Sequence, residues 1–586
     1  MKSFMKIFFA SFLALVIFCI VSFLIGMFVI GRALQPSTSD LGSKGVLLID
    51  LNKEYQEQAK ENAIGSITGD PSKDIPGLYD VVRMLHYAKT DSAIKGIYIK
   101  GGNNPNGFGS NEELLKAIVD FKESKKFVIA YGETMDQKSY FVSTAADKIY
   151  CHPGGGIDWD GYSVSLFFMK GLLDKLGIDF QIFYAGKFKS ATEPFRVTKM
   201  TDANRLQLTD LLNDLYGIFL LQTGKARNID TATLHQLSIN GSIRTANDAL
   251  QNKLVDGLKY DDEVKAEISG KLGQSLKDKI NFITLGNYAK AVNFRYNEGD
   301  DKIAIIYAQG DIVGGKGQND EIGSDTYIDM LRKARMDKDI KAIVLRVNSP
   351  GGSSLASDAI WREVTLAKKQ KPMIVSMGDY AASGGYYVAC NADSVFADAG
   401  TITGSIGVFS LLPNMQPFFN NKLGLTFDVV KTAPYADMVT TSRPLTQIEK
   451  RFMQAGVDST YNTFKQRVAE GRKINMLFVD SIAQGHVYAA SRAIGLKLVD
   501  KTGTLQDAVD CAARLAKVKK YRTKEYPEKK SWLDQLISSS NNSSAEESAI
   551  KENIGEEQFR LMQQLKKLQQ LMKAPQARLP FDLQTN

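Results

Sequence analysis

Ser383 is the residue in this chain best placed to do chemistry. It sits in Ala381-Ala-Ser-Gly-Gly-Tyr-Tyr387, where an apolar strand gives way to a helix. A serine at such an elbow holds its hydroxyl at the edge of a sheet, and Gly384 supplies the next backbone N–H. The same serine could act merely as the N-cap of the helix. One strand–helix step upstream, Val347-Asn-Ser-Pro-Gly-Gly-Ser353 makes a second turn. Its paired glycines let backbone N–H groups approach a ligand closely, so they could stabilise an oxyanion or simply form a tight turn. Adjacent parallel strands would carry both turns to one sheet edge, where ligand sites of α/β proteins form. A serine nucleophile needs a base. His486 is the sole histidine after Ser383 and lies in a helical region, so no Ser/His/Asp order emerges. Lysine is the remaining choice, and it serves only if burial brings its pKa from about 10.4 toward neutrality.

The elements that must hold these residues occur twice. Ser383 falls 246 residues after Gln137, and the same offset sets Ile340-Lys341 on Ile94-Lys95 and Ala392-Asp393 on Ala146-Asp147. Later, Lys497-Leu-Val-Asp500 matches Lys253-Leu-Val-Asp256. A period this long marks duplicated domains, because solenoid repeats run roughly 20–50 residues. In the first copy, strands are expected at 45–51, 95–100 and 127–130, and helices at 76–90 and 111–123. The second copy repeats the pattern with strands at 303–308, 342–347 and 373–376 and helices at 325–336 and 354–369. Strands alternating with helices of this length indicate parallel βαβ units. Each copy closes with a helical segment, about 201–270 and 445–516. The polar groups differ between copies: Gln137 faces Ser383, Trp159 faces Ser405, and Pro105-Asn106 faces Gly351-Gly352. Each half therefore supplies part of one site.

Composition excludes several classes. The net charge of +8 over 586 residues is dispersed, with no basic arm, so no nucleic-acid role is expected. The four cysteines form no C-x-x-C pair and no H-E-x-x-H occurs, so neither a metal nor another cofactor is implied. The cysteines read as buried free thiols, apart from Cys19 in an apolar run. That run, Ile7 to Ile30, has 24 residues, enough to span a bilayer that needs about 20. It is too long for a signal-peptide core and offers no good cleavage site. Lys2 and Lys6 before it favour a cytoplasmic N-terminus, with the rest of the chain outside the cytoplasm. Residues 33–43 are a linker, 537–546 are rich in serine and asparagine, and 556–572 have helical spacing of Phe559, Leu561, Met562, Leu565, Leu568 and Leu571.

Ser349-Pro-Gly-Gly352, Ala381-Ala-Ser-Gly-Gly-Tyr386, Gly400-Thr-Ile-Thr-Gly-Ser-Ile-Gly-Val408 and, in the first copy, Ala185-Gly-Lys-Phe-Lys-Ser-Ala-Thr-Glu-Pro194 occur in order. With these motifs the chain resembles the signal peptide peptidase A family, the long, duplicated, membrane-anchored type of Ser/Lys peptidase related to the Clp proteolytic subunit and the crotonase fold. The resemblance runs from the anchor to about residue 520. It implies an α/β fold of two tandem Clp protease/crotonase-like βαβ domains, with an N-terminal transmembrane helix and a helical C-terminal tail. The expected divisions are 1–32 for the N-terminus and anchor, 33–43 for the linker, 44–290 and 300–520 for the repeats, and 521–586 for linker and tail.

By position, the resemblance makes Ser383 the nucleophile, Lys189 the general base and Ser405 the hydroxyl that orients the lysine amine. The N–H groups of Gly384 and of Gly351 or Gly352 would form the oxyanion hole. Lys187 is the rival base, since alternation along an extended segment points one of the two lysines inward. Lys189 falls opposite Tyr435 or Ala436, so neither copy holds both a serine and a lysine at these places. The family's implied task is cutting leftover signal peptides at the bacterial inner membrane after export, by a homotetramer with periplasmic active sites. The alternative is an envelope peptidase acting on other membrane or exported proteins, because the dyad does not name its substrate. An acyl-CoA enzyme of the crotonase kind would need neither the anchor nor the Ser383/Lys189 pair. A non-catalytic peptide-binding scaffold would survive loss of both residues.

Overall fold

The computed structural model describes residues 8, 11–22, 41–59, 75–295, 298–318, 320–528 and 575–579. Runs of branched apolar residues build two sheets, the first wholly parallel and the second parallel except at one edge, where Val487–Ala489 runs antiparallel to Ile402–Gly404; each is covered on both faces. In the first, the order is Gly257–Leu258, Lys148–Ile157, Phe127–Met135, Ile94–Lys100, Gly45–Asp50, Asn281–Thr284, all parallel. Leu47, Ile49, Ile97 and Ile99 enter one core cluster, while Val46, Tyr98 and Ile129 enter a cluster on the opposite face. That alternation with apolar residues on both sides is what a doubly covered parallel sheet requires.

The second sheet repeats the plan. Its order is Val487–Ala489, Ile402–Gly404, Met373–Ala382, Ile340–Ser349, Lys302–Gln309, Arg522–Tyr526, with Ser394–Ala397 also beside Met373–Ala382. The duplication extends to individual hydrogen bonds. The Tyr140 hydroxyl donates to Leu254 O at 2.7 Å, and the Tyr386 hydroxyl to Leu498 O at 2.9 Å. Asp256 accepts from the N–H of Ile149, and Asp500 from that of Val395. Arg227 donates to Lys253 O, and Arg472 to Lys497 O.

A third, mixed sheet joins the copies. Its order is Glu321–Gly323, Asp311–Val313, Gly351–Ser353, Gln576–Arg578, Val408–Asn414, Asp179–Ala185. Asp179–Ala185 comes from the first copy and pairs antiparallel along its whole length with Val408–Asn414 of the second. Buried polar groups lock the same junction. Arg346, 1% exposed, donates to Glu57 at 2.7 Å and to Glu113 at 2.6 Å, both from the first copy.

Several elements differ from the sequence reading. The helix expected at 111–123 starts earlier, as Phe108–Lys122. Arg522–Tyr526 lies in the region expected to be linker, yet it extends the second sheet beside Lys302–Gln309. Gln576–Arg578, in the expected helical tail, is a strand. The amphipathic stretch 556–572 lies outside the described residues. So do most of the linker 33–43 and, within the expected span 7–30, residues 7, 9, 10 and 23–30. Residues 11–22 are helical, and Phe12, Leu13, Leu15, Ile17, Phe18, Ile20 and Val21 are exposed. Among the described residues no helix is long and apolar enough to cross a membrane.

Candidate active site

Ser383 follows the strand Met373–Ala382 and precedes the short helix Gly384–Ala389. Its backbone sits at φ 56°, ψ −114°, a region costing a non-glycine residue on the order of 1–3 kcal/mol. Two contacts hold it there. The Ser383 N–H donates to Gly404 O at 2.8 Å, and Tyr387 N–H donates to Ser383 O at 2.8 Å. Parallel pairing of Tyr380, Ala381 and Ala382 with Ile402, Thr403 and Gly404 then delivers Ser405 to the same edge. Ser405 is itself at φ 52°, fixed by its N–H donating to His486 O at 2.7 Å.

Lys189 arrives from the other copy. Its segment follows Asp179–Ala185, and the pairing of Ala185 with Val408 aims the following turn at the second copy's sheet edge. Gly186, at φ 104°, turns against Gln484, where a Cβ would come within 2.5 Å of the Gln484 carbonyl carbon. Phe188 N–H then donates to Gln484 O at 2.8 Å. The result is an amine with 1% exposure for its residue. Lys189 Nζ lies 2.8 Å from Ser383 Oγ, 3.0 Å from Ser405 Oγ and 3.3 Å from Ser405 O. Among the described residues no carboxylate pairs with it, and burial holds its pKa well below the ordinary 10.5. A neutral amine has one lone pair and two N–H bonds. Three oxygens around it match one accepted and two donated hydrogen bonds.

Lys187, two residues earlier, is exposed, with its Nζ 4.8 Å from the Phe188 ring. His486 is half-buried. Its ring packs on Phe188 and Tyr488, while its backbone carbonyl serves Ser405. Of the two upstream glycines, Gly351 has its N–H donating to Ser349 Oγ at 3.2 Å. That leaves the Gly352 N–H, beside Gly384, on the cleft side. The turn expected to run straight into a helix is instead a short extended strand, Gly351–Ser353, before the helix Ser354–Lys368. Gly351 at φ 103° permits an approach no side chain would allow.

Two supporting groups went unread in the sequence. Gln207, on the helix Asp202–Arg227, donates to Phe188 O and to Ser190 Oγ, each at 2.9 Å, and accepts from Val487 N–H. Gly485 lies against Lys189, where a Cβ would come within 2.8 Å of its Cα. No local signal marks either one, since their partners are distant in sequence.

The matching place in the first copy is closed. Gln137 donates to Gly161 O at 2.8 Å and accepts from Gly161 N–H at 3.1 Å. Trp159, 1% exposed, fills the position of Ser405. The second-copy counterpart of the Lys189 segment, around Tyr435-Ala436, is exposed.

The model of peptidase family S49 matches residues 120–275 and again 365–519, and that of Clp protease matches 295–397. Protease 4 of Salmonella typhi is 34% identical over 86% of this chain and 83% of its own length. The chloroplastic serine protease SPPA of Arabidopsis thaliana is 30% identical over 74% of this chain and 64% of its own. A putative signal peptide peptidase SppA of Enterococcus faecium is 32% identical over 37% of this chain and 65% of its own.

Proposed function

Because the chain belongs to peptidase family S49 and is a serine protease, we propose that one Ser/Lys site, assembled across the two copies, carries its activity. The observation that carries this reading is the buried Lys189 amine 2.8 Å from Ser383 Oγ. Lys189 as the neutral base takes the Ser383 proton while Oγ attacks the scissile carbonyl. The two N–H bonds of the amine stay on Ser405, so its lone pair points at Ser383. The developing oxyanion is met by the N–H groups of Gly352 and Gly384, with Gly351 keeping the approach open. Lys189 then passes its proton to the leaving amine, and water clears the acyl-enzyme by the same route.

The substrate we propose is an extended apolar peptide, with cleaved signal peptides as the natural class. Between Gly351–Ser353 and Val408–Asn414 the third sheet takes in one strand, Gln576–Arg578, by backbone pairing, and an extended peptide would be held there in the same way. Such main-chain pairing holds an extended peptide of any sequence, and selection among peptides falls to the side-chain pockets beside it. The relative from Enterococcus faecium bears the name of a signal peptide peptidase. The apolar run 7–30 would anchor the chain in a bacterial inner membrane, with the repeats 44–290 and 300–520 outside the cytoplasm. A homotetramer is the assembly we propose, and the copies' asymmetry supports contact between neighbouring chains. The Lys189 segment of copy one covers copy two, whereas its exposed counterpart, with Leu423, Leu425, Phe427, Val429 and Val430, is free to cover copy one of a neighbour.

A serine-directed phosphonylating reagent tests the site. The adduct should map to Ser383 by peptide mass spectrometry and fail to form in Lys189→Ala. An adduct at another serine, with Ser383 unmodified, would overturn the assignment.

A further inference from the structure

We propose that the chain's own segment Pro575–Leu579 is a substrate of its active site, cut between Ala577 and Arg578. The inference rests on the Ser383/Lys189 reading. Gln576–Arg578 fills the strand-wide slot of the third sheet. It pairs antiparallel with Gly351–Ser353 on one side and through Gln576 with Phe409 on the other.

The register is that of a substrate. Leu579 N–H donates to Pro350 O at 2.8 Å, and Ser354 N–H donates to Pro575 O at 3.2 Å. Antiparallel ladders alternate bonded and non-bonded pairs, so Gly352 and Ala577 between them form a bonded pair. The Ala577 carbonyl oxygen therefore faces the Gly352 N–H. It also crowds the other glycines: a Cβ on Gly351 would come within 2.1 Å of that oxygen, and one on Gly384 within 3.1 Å. This carbonyl occupies the pocket assigned above to the oxyanion. The chain is gripped on both sides of the bond that follows it.

The side chains fit as well. The Ala577 methyl is wholly enclosed, a place for a small residue. Arg578 Nη1 pairs with Asp311 Oδ2 at 2.7 Å. Leu579 is buried among Leu208, Leu211 and Leu215 of the first copy and Ala382, Ile402 and Val487 of the second. Three consecutive residues thus have three built receptacles.

The chemistry balances. Ser383 Oγ bonds to the Ala577 carbonyl carbon and gives its proton to Lys189 Nζ. The Ala577–Arg578 C–N bond breaks, and that proton goes to the Arg578 nitrogen. Water adds to the acyl carbon, its proton passes through Lys189 to Ser383, and Ala577 ends as a carboxylate. The peptide Arg578–Asn586 leaves, which opens the slot to other substrates.

Intact-mass measurement of the purified full chain over time, beside turnover of a separate apolar fluorogenic peptide, tests this. The wild-type chain should lose residues 578–586, and Ser383→Ala should keep them. Ala577→Trp and Arg578→Glu should each slow the loss at least tenfold with peptide turnover retained, and Arg578→Lys should restore it. A wild-type chain that turns over the peptide but keeps residues 578–586, or is cut at another bond, overturns this inference and leaves the Ser/Lys reading standing. Loss of the nonapeptide from Ser383→Ala also overturns it. Failure to turn over the peptide at all removes the Ser/Lys reading and this inference together.

Discussion

The first copy follows its third strand, Phe127–Met135, with Gln137, whose amide closes on Gly161. The second follows the equivalent strand, Met373–Ala382, with Ser383, whose hydroxyl meets a lysine from the first copy. Around both positions the scaffold is the same, down to the tyrosine that donates to a leucine carbonyl and the aspartate that accepts from a strand N–H. What differs is whether a polar group is completed within its own copy or across the junction. The first copy spends its polar atoms on local closure and fills the remaining space with Trp159. The second leaves a strained serine and a second hydroxyl, Ser405, whose partner is the other copy's lysine. On the proposed Ser/Lys reading, duplication has let one half keep stability while the other keeps reactivity.

The largest effects should come from severing that dependence. Ser383→Ala and Lys189→Ala should each lower kcat on an apolar peptide by about 10⁵-fold or more, while circular dichroism stays native. If either variant keeps more than a few per cent of turnover, the contrast between the copies has no catalytic meaning. Lys189→Met adds a sharper readout. The folded-state pKa of Lys189 is lowered, so the unfolded chain binds the additional proton between that pKa and the ordinary 10.5. Stability then rises with pH across this window and is penalised below it. Lys189→Met should be more stable than the wild type at neutral pH, with the gap closing as pH approaches about 10.4. Peptide turnover in the wild type should rise with pH through the folded pKa.

Next comes the junction that brings the copies together. Arg346 is buried with Glu57 and Glu113, and Arg346→Met strands both carboxylates. The expected loss is about 3–5 kcal/mol, read as a lowered denaturation midpoint. Turnover should fall with the folded fraction.

Much of this arrangement was legible in the sequence. Branched apolar runs gave the strands, and repeated spacing gave the duplication. The turns at Ser349–Gly352 and Ala381–Tyr386 stood out because glycine pairs after strands are rare without a close approach to make. Lys189 was not legible from residue types, because 194 positions separate it from Ser383. Only a family resemblance pointed to it over Lys187. The choice between Gly351 and Gly352 depends on which N–H Ser349 Oγ captures, and the turn motif does not encode that. Pro575–Leu579 carries no strand pattern of its own. It is extended because the slot between two strands offers its backbone partners on both sides. Gln207 and Gly485 act on the Lys189 segment through tertiary contacts, which leave no periodicity to read.

Ser405→Ala should act more gently than loss of the dyad. It removes the hydroxyl 3.0 Å from Lys189 Nζ but leaves the Ser405 carbonyl at 3.3 Å as one fixed acceptor. A loss of roughly 10- to 100-fold in kcat is expected, with KM little changed, because orientation and not substrate binding is impaired. An equal loss in KM would mean that Ser405 touches the peptide instead.

The smallest effect on activity should come from the first copy's own position. Gln137→Ala removes a side chain that is 4% exposed and leaves Gly161 N–H and O without their partner. Stranding buried polar groups costs about 1–3 kcal/mol, so the denaturation midpoint should drop measurably. Turnover per folded molecule should stay within about twofold, since Gln137 touches no atom of the Lys189–Ser383–Ser405 cluster. Lys187→Ala, on an exposed side chain, should leave both quantities unchanged. The pairing is the informative part. A stability loss without a rate loss at Gln137, beside a rate loss without a stability loss at Ser383, would separate two uses of one structural position. If Gln137→Ala instead silences the enzyme while remaining folded, the first copy's closure is transmitted to the second copy's site, and the division of labour drawn here would have to be abandoned.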